Sequence, residues 1–136
     1  MKVLFLDIDG VMNNEDLLYC EGMNAIGEIF LDRLKHIVLS TDVKIVLSSS
    51  WRIGSQHLVA DALATRNLEL FDITPGDDSV ERCEEILEWL NGHPEVINFA
   101  ILDDNYGAKV ENHFFKTSFF EGLTEEIAEQ VIKHFG

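Results

Sequence analysis

Cysteine, positive charge and long apolar runs are all scarce in this sequence, and each scarcity excludes a class of protein. The 136 residues include only two cysteines, Cys20 and Cys83, which excludes a disulfide framework and a CxxC pair. No run of about eighteen apolar residues occurs, so the sequence predicts no membrane span. The apolar run after Met1 and Lys2 stops at Asp7, too short for a signal peptide. We therefore expect a cytoplasmic protein with reduced, partly buried cysteines.

The excess of acidic residues limits which partners the protein can bind. There are 10 Lys and Arg residues against 25 Asp and Glu residues, a formal net charge of −15. Such a protein repels polyanions as a whole, and it lacks the basic runs that support non-specific nucleic-acid binding. A phosphorylated substrate must then be attracted locally, by a metal ion or a few placed cations. The hydrophobic content of 46% argues against disorder and suits one core in a single domain over residues 1–136.

Apolar, strand-like runs alternate along the chain with segments of helical period. The predicted strands are residues 3–7, 44–48, 68–74, 97–102 and 113–117. The predicted helices are residues 28–39 and 56–64, one that Ser79 caps and that runs to about Asn91, and one that Thr124 caps. Ile29 and Leu87 are assigned to inner helix faces. This alternation predicts a three-layer α/β domain, with a mostly parallel sheet and helices on both faces.

Polar side chains follow three of these strands at the point where each strand ends: Asp7 and Asp9, then Ser48 and Ser49, then Asp103 and Asp104. In a parallel sheet these positions meet at one edge, where ligands bind. Residues two apart on an extended chain point to the same side, so Asp7 and Asp9 should face the same point. Clustered carboxylates repel one another unless a cation holds them, and oxygen ligands favour Mg²⁺. The predicted metal ligands are therefore the four aspartates: Asp7, Asp9, Asp103 and Asp104.

The same spacing suits phosphoryl transfer. Asp7 is placed for in-line attack on phosphorus, and Asp9 can protonate the leaving oxygen and later take a proton from water. Ser48 can donate a hydrogen bond to a phosphate oxygen. Ser49 is a second phosphate-binding candidate, with turn capping as its alternative role. Arg82, near the start of its helix, is the candidate cation that balances the transition-state charge.

These residues resemble the four motifs of the haloacid dehalogenase-like (HAD) phosphohydrolases, in the order "LFLDIDGV", "IVLSS", Arg82 and "AILDD". With "LSSSWR", "ERCEEILEWL" and "GLTEEIAEQVI", the chain is similar to the small HAD domains associated with RNA-repair proteins. Those domains are related to the 3′-phosphatase domains of polynucleotide kinase-phosphatases. The resemblance implies that Asp7 is the nucleophile and a Mg²⁺ ligand. It also implies that Asp9 is the acid/base and binds Mg²⁺ through its backbone carbonyl, and that Asp103 ligates Mg²⁺ with help from Asp104.

The third motif departs from the family pattern, because a lysine usually stands where this chain has Arg82. Lys109 is the alternative cation, although it follows the Asp-Asp pair and so breaks the family order. Arg52 could reach substrate phosphate or pair with a neighbouring carboxylate, and both roles stay open. Trp51 is expected to pack beneath the site loop.

The stretch from residue 13 to residue 27 is the only room for a cap over the site. It predicts a small flap or hairpin and not a folded cap, so the site should be open. In the HAD family, openness usually goes with large substrates such as nucleic-acid ends or phosphoproteins, with small-molecule exceptions. The phenylalanines at positions 114, 115, 119 and 120 are assigned to core and edge packing.

The sequence thus predicts a Mg²⁺-dependent phosphomonoester hydrolase that works through an aspartyl-phosphate, on a phosphorylated small molecule, a nucleotide or a nucleic-acid end. A receiver-like signalling module is one alternative. It needs a phospho-accepting Asp after a middle strand, whereas the strand at 44–48 ends in Ser48. An inactive HAD scaffold that only binds a partner is the other alternative, and the presence of Asp7, Asp9 and Asp103 disfavours it.

Overall fold

A computed structural model describes all 136 residues and contains five strands and five helices. The strands are β1 (Lys2–Leu6), β2 (Lys44–Leu47), β3 (Leu70–Ile73), β4 (Asn98–Asp103) and β5 (Phe114–Lys116). The helices are α1 (Glu15–Glu21), α2 (Glu28–Thr41), α3 (Gln56–Ala64), α4 (Arg82–Asn91) and α5 (Glu125–Phe135). Short 3₁₀ turns occupy Ser50–Arg52 and Tyr106–Ala108. None of the helices combines the length and apolar character needed to cross a membrane.

The five strands form one sheet in the order β3-β2-β1-β4-β5, and every neighbouring pair is parallel. The chain builds outward from β1 in one direction and then in the other, which makes β1 the centre of the sheet. Leu6 at the end of β1 is in register with Leu47 of β2 and Leu102 of β4. The ladder continues one step further, since the Asp7 amide donates to Leu102 and the Ser48 amide donates to Leu6. The residues that follow these three strands therefore emerge side by side.

Two hydrophobic clusters cover the two faces of the sheet. Leu4 and Leu6 of β1 point into the larger cluster, beneath α2, α3 and α5. Val3 and Phe5 point into the smaller cluster, where Trp89 of α4 packs edge-on against Phe5 with ring centroids 5.4 Å apart. Alternate side chains of one strand thus enter opposite layers. The predicted three-layer α/β architecture with helices on both faces is confirmed.

Three local predictions were wrong. Helix α4 begins at Arg82 and not directly after Ser79, because the Asp77 carboxylate accepts a hydrogen bond from the Ser79 amide and holds a turn there. Ile29 and Leu87 are 54% and 49% exposed. Each stands next to a better-buried residue of its helix, so it lies about 100° away from the inward stripe.

The segment 13–27 is not a hairpin, because it contains helix α1. Asn14 caps this helix by accepting a hydrogen bond from the Leu17 amide, and acidic residues fill the first turn. Leu18 is the only buried residue of α1, and Tyr19 is 92% exposed. This segment therefore adds one short, lightly anchored helix to the core.

Candidate active site

Three predicted ligands, Asp7, Asp103 and Asp104, converge at the carboxyl ends of β1 and β4. One carboxylate oxygen from each lies within 4.8 Å of the others. Asp7 and Asp103 are 8% and 3% exposed, respectively. Three carboxylates at this spacing form an all-oxygen donor set of the kind that a hard divalent cation prefers. The residues present therefore fit Mg²⁺.

The electrostatics of this cluster agree with that fit. Burial raises the pKa of Asp7 well above its usual range, and the nearby charge of Asp103 raises it further, while Arg82 opposes the shift. Burial likewise raises the pKa of Asp103 to about 6. Both shifts show that the two carboxylates are costly to ionise together without a cation. A bound divalent ion would remove that cost.

Gly10 gives the chain its sharp turn after the cluster. Its φ of +78° is a left-handed conformation that favours glycine, and a Cβ at this position would lie 2.3 Å from the Asp104 carboxylate. The backbone therefore approaches Asp104 closely at this point. It places the turn directly against one of the three clustered acids.

Asp9 lines the same cavity, but its carboxylate lies outside the three-residue cluster. The indole Nε1 of Trp51 donates to its Oδ2 at 3.1 Å, and Nδ2 of Asn13 donates to its Oδ1 at 3.0 Å. The side chains of Asp7 and Asp9 were expected to point to the same side of the chain, which assumed that the chain is extended there. In the structure, β1 ends at Leu6 and the chain then turns. The backbone-carbonyl contact of Asp9 with a metal stays a prediction.

The two serines after β2 have different environments. Ser48 is 1% exposed, its buried hydroxyl has no hydrogen-bond partner, and the residue does not line the cavity. The hydroxyl of Ser49 accepts a hydrogen bond from the Trp51 amide and caps the 3₁₀ turn. Ser49 does not line the cavity, whereas the exposed Ser50 does. The turn-capping alternative for Ser49 is thus the role that the structure shows.

Arg82 is the cation that the fold brings to the carboxylates. Its Nη1 lies 3.7 Å from an oxygen of Asp7 and 3.7 Å from an oxygen of Asp103. The same nitrogen donates to the backbone carbonyl of Ser48 at 2.7 Å. Lys109 instead lies 3.7 Å from Glu111, and its side chain is 47% exposed. Of the two candidates, only Arg82 lines the cavity.

Sequence reasoning missed the partner of Arg52. The Arg52 side chain is 2% exposed, and its Nη2 donates to Glu85 at 2.8 Å and to Asp78 at 3.1 Å. Glu85, itself 1% exposed, also lies 3.7 Å from Arg82. Arg52 is therefore a buried ion-pair residue behind the site. Helical period was the available signal, because Glu85 lies one turn before the buried Trp89 on α4.

The cavity over these residues has a volume of about 500 Å³. No residue of 14–27 lines it, so helix α1 does not close it. Val80 and Phe119 line the rim and are 50% and 41% exposed. Phe119 and Phe120 belong to the turn closed by the Ser118–Gly122 bridge. The prediction that both pack in the core or at the sheet edge was wrong, since Phe120 is 72% exposed.

Comparison with known proteins agrees with this geometry. A model of the family described as the HAD domain in Swiss Army Knife RNA repair proteins matches residues 3–128, which include every candidate site residue. No curated protein and no solved structure matches the chain. The family indicates a phosphohydrolase, and the predicted resemblance is confirmed. The chain therefore belongs to the HAD domains of the Swiss Army Knife RNA repair family.

Proposed function

We propose that this protein is a Mg²⁺-dependent phosphomonoester hydrolase that works through an aspartyl-phosphate on Asp7. One observation carries the proposal. Two buried carboxylates and the guanidinium of Arg82 meet at the centre of the sheet edge, next to Ser48, whose carbonyl accepts from Arg82 and whose buried hydroxyl has no partner. This set provides a nucleophile, oxygen ligands for a metal and two donors for a phosphate.

In the first step, a carboxylate oxygen of Asp7 attacks phosphorus, and the bond from phosphorus to the leaving oxygen breaks. Asp9 gives a proton to that oxygen. The Ser48 hydroxyl and the Arg82 guanidinium bind non-bridging oxygens as charge moves onto them. A Mg²⁺ held by Asp7, Asp103 and Asp104, when bound, would supply the charge that lets a phosphate dianion approach these acids.

In the second step, Asp9 is a carboxylate and takes a proton from a water molecule, whose oxygen attacks phosphorus. The bond from Asp7 to phosphorus breaks, and inorganic phosphate leaves. Asp7 returns to its carboxylate form, and Asp9 is again protonated for the next cycle.

We infer that the substrate is the terminal phosphate of a nucleotide or a nucleic-acid end. The uncovered cavity admits a phosphate on a larger group, and the exposed ring of Phe119 and side chain of Val80 offer apolar contact to a planar base. The net charge of −15 opposes extended contact with a nucleic-acid backbone. Recognition would therefore concentrate on the phosphate and its attached nucleoside.

Asp7→Asn tests the proposal. Turnover of an aryl phosphate with Mg²⁺ should fall by at least about 10³-fold, because an amide at position 7 cannot form the aspartyl-phosphate. Asp32→Asn, at an exposed position outside the cavity, is the matched control and should retain wild-type turnover. Asp7→Asn also removes a charge that burial disfavours, so the metal-free variant should melt no lower than the wild type at neutral pH.

A substrate panel extends this experiment. It compares nucleotides, oligonucleotides with 3′- or 5′-phosphate, sugar phosphates and phosphopeptides, each with Mg²⁺ and with a chelator. Undiminished turnover by Asp7→Asn would refute the nucleophile assignment, and turnover in the chelator would refute the metal requirement. A long-lived phospho-Asp7 without turnover would favour the receiver-like alternative, and no reaction at all would favour the inactive scaffold.

A further inference from the structure

Two fixed donors bracket the carboxylate of Asp9, one on each oxygen. Trp51 Nε1 donates to Oδ2 at 3.1 Å, and Asn13 Nδ2 donates to Oδ1 at 3.0 Å. Trp51 is 7% exposed and Asn13 is fully buried. Asp9 itself is only partly buried and faces the cavity. The Asp9 carboxylate therefore faces the cavity, while both of its hydrogen-bond donors are buried.

Neither donor is free to move. The Asn13 side-chain oxygen accepts from the Gly10 amide at 2.9 Å, and its Nδ2 also donates to the Ala25 carbonyl at 3.1 Å. Trp51 belongs to the large hydrophobic cluster, and Ser49 caps the 3₁₀ turn that carries it. Turning the Asp9 carboxylate would therefore break two hydrogen bonds whose donors cannot follow it.

This arrangement divides four neighbouring acids into two groups. The carboxylates of Asp7, Asp103 and Asp104 form one cluster, and the Asp9 carboxylate lies outside that cluster. A carboxylate bound to a divalent cation is a poor proton carrier, because its charge is committed to the ion. The two oxygens of a carboxylate together accept about four hydrogen bonds, so the two donors leave Asp9 able to hold a proton facing the cavity.

We propose that Trp51 is a positioning residue whose indole N–H keeps the Asp9 carboxylate apart from the metal-binding carboxylates and available for proton transfer. This proposal rests on the proposed function, in which Asp9 acts in both chemical steps. Without the indole donor, only Asn13 holds the Asp9 carboxylate, through Oδ1, and Oδ2 can turn toward a cation at the cluster. Proton transfer would then suffer, while the nucleophile and the phosphate donors would stay in place.

Trp51→Phe removes the donor and keeps an aromatic ring in the cluster. An aryl phosphate has a good leaving group that needs little protonation, so its first step should stay within about threefold of wild type. The second step always needs Asp9, so steady-state turnover should fall by about 10- to 100-fold. A rapid burst of phenol followed by slow turnover is the expected trace, with KM for the aryl phosphate no higher than in the wild type. An alkyl phosphate, whose leaving group needs the proton, should show no burst.

Trp89→Phe is the matched control. Trp89 is 4% exposed and donates its Nε1 to Asp72 Oδ2 at 2.9 Å, in the same kind of indole–carboxylate bond outside the site. This variant loses the same atoms but should retain wild-type kinetics on both substrates. If both variants slow the two chemical steps equally, with the aryl and with the alkyl phosphate, then Trp51 has only a structural role and the proposal is overturned.

A spectroscopic measurement tests the contact without any turnover. The protein has two tryptophans, so a proton–nitrogen correlation spectrum shows two indole N–H signals, which the two Phe variants assign. Asp9→Ala should move the Trp51 signal, and Asp72→Ala should move that of Trp89. An unmoved Trp51 signal in Asp9→Ala would refute the hydrogen bond. A wild-type protein without phosphatase activity would instead overturn the proposed function, and the positioning role of Trp51 with it, while the spectrum still decides whether the hydrogen bond exists.

Discussion

Replacing Arg52 by methionine should be among the most destabilising single changes in this protein. Methionine matches much of the volume of the arginine stem but has no charge and no donors. The change leaves Glu85, 1% exposed, as a buried carboxylate without its main partner at 2.8 Å. It also removes the donor to the Ser49 carbonyl at 2.7 Å. The loss therefore combines a buried carboxylate left without its closest cation with the loss of one of two donors to the Ser49 carbonyl, which keeps its hydrogen bond from the backbone amide at position 52.

The magnitude follows from burial. Removing one partner of a buried ion pair costs about 3–5 kcal/mol in free energy of unfolding, a large part of the roughly 5–15 kcal/mol that holds a domain folded. The entropy of unfolding of a chain of this length is about 0.3 kcal/mol/K. The melting temperature should therefore fall by roughly 10–17 °C.

Arg66→Met is the control for this prediction. Arg66 and Asp32 form a closer pair at 2.6 Å, but their side chains are 24% and 65% exposed. A surface pair contributes at most about 1 kcal/mol, so this variant should melt within about 4 °C of wild type. Thermal unfolding followed by circular dichroism compares the two. If Arg52→Met melts no lower than Arg66→Met, the reasoning from burial is refuted.

A double variant refines the comparison. Replacing Arg52 and Glu85 together by methionine removes both charges, and replacement of a whole buried pair by apolar residues is often close to neutral. The double variant should therefore melt above Arg52→Met. If it melts lower, the cost lies in lost packing or lost backbone contacts and not in the unpaired Glu85 charge.

Two further predictions concern the carboxylate cluster. Because burial raises the pKa of Asp7 and of Asp103, the folded protein holds protons that the unfolded chain releases, so metal-free stability should fall as pH rises through about 6. Mg²⁺ should then raise the melting temperature more at about pH 7.5 than at about pH 5, and equal shifts would contradict this. Gly10→Ala should lower stability and Mg²⁺ binding, since its Cβ would lie 2.3 Å from Asp104. Gly54 also has a positive φ, +83°, but a Cβ there would have no other atom within 4 Å. Gly54→Ala should therefore show only backbone strain of about 1–2 kcal/mol. Thermal melts and Mg²⁺ titrations of the two variants test this difference.

Much of the fold was predictable because the spacing of apolar residues along a segment indicates which of its residues are buried. Strands with apolar residues on both faces indicated a covered parallel sheet, and the acids and serine after those strands indicated one functional edge. Asp7, Ser48 and Asp103 could be placed at that edge from their positions alone, because parallel strands in register end together. Arg82 could be placed near it because it lies at the start of a helix that follows a strand.

The sequence by itself thus determined the layers, the strand ends and the acids that meet at the edge of the sheet. Only the tertiary structure decided which partner each polar side chain takes. Trp51 donates to Asp9 across 42 positions of the chain, and Arg52 pairs with Glu85 across 33. Such contacts join segments that have no periodic relation to one another. They depend on how the turns after β1 and β2 fold against α4, and the period of any one segment carries no record of that packing.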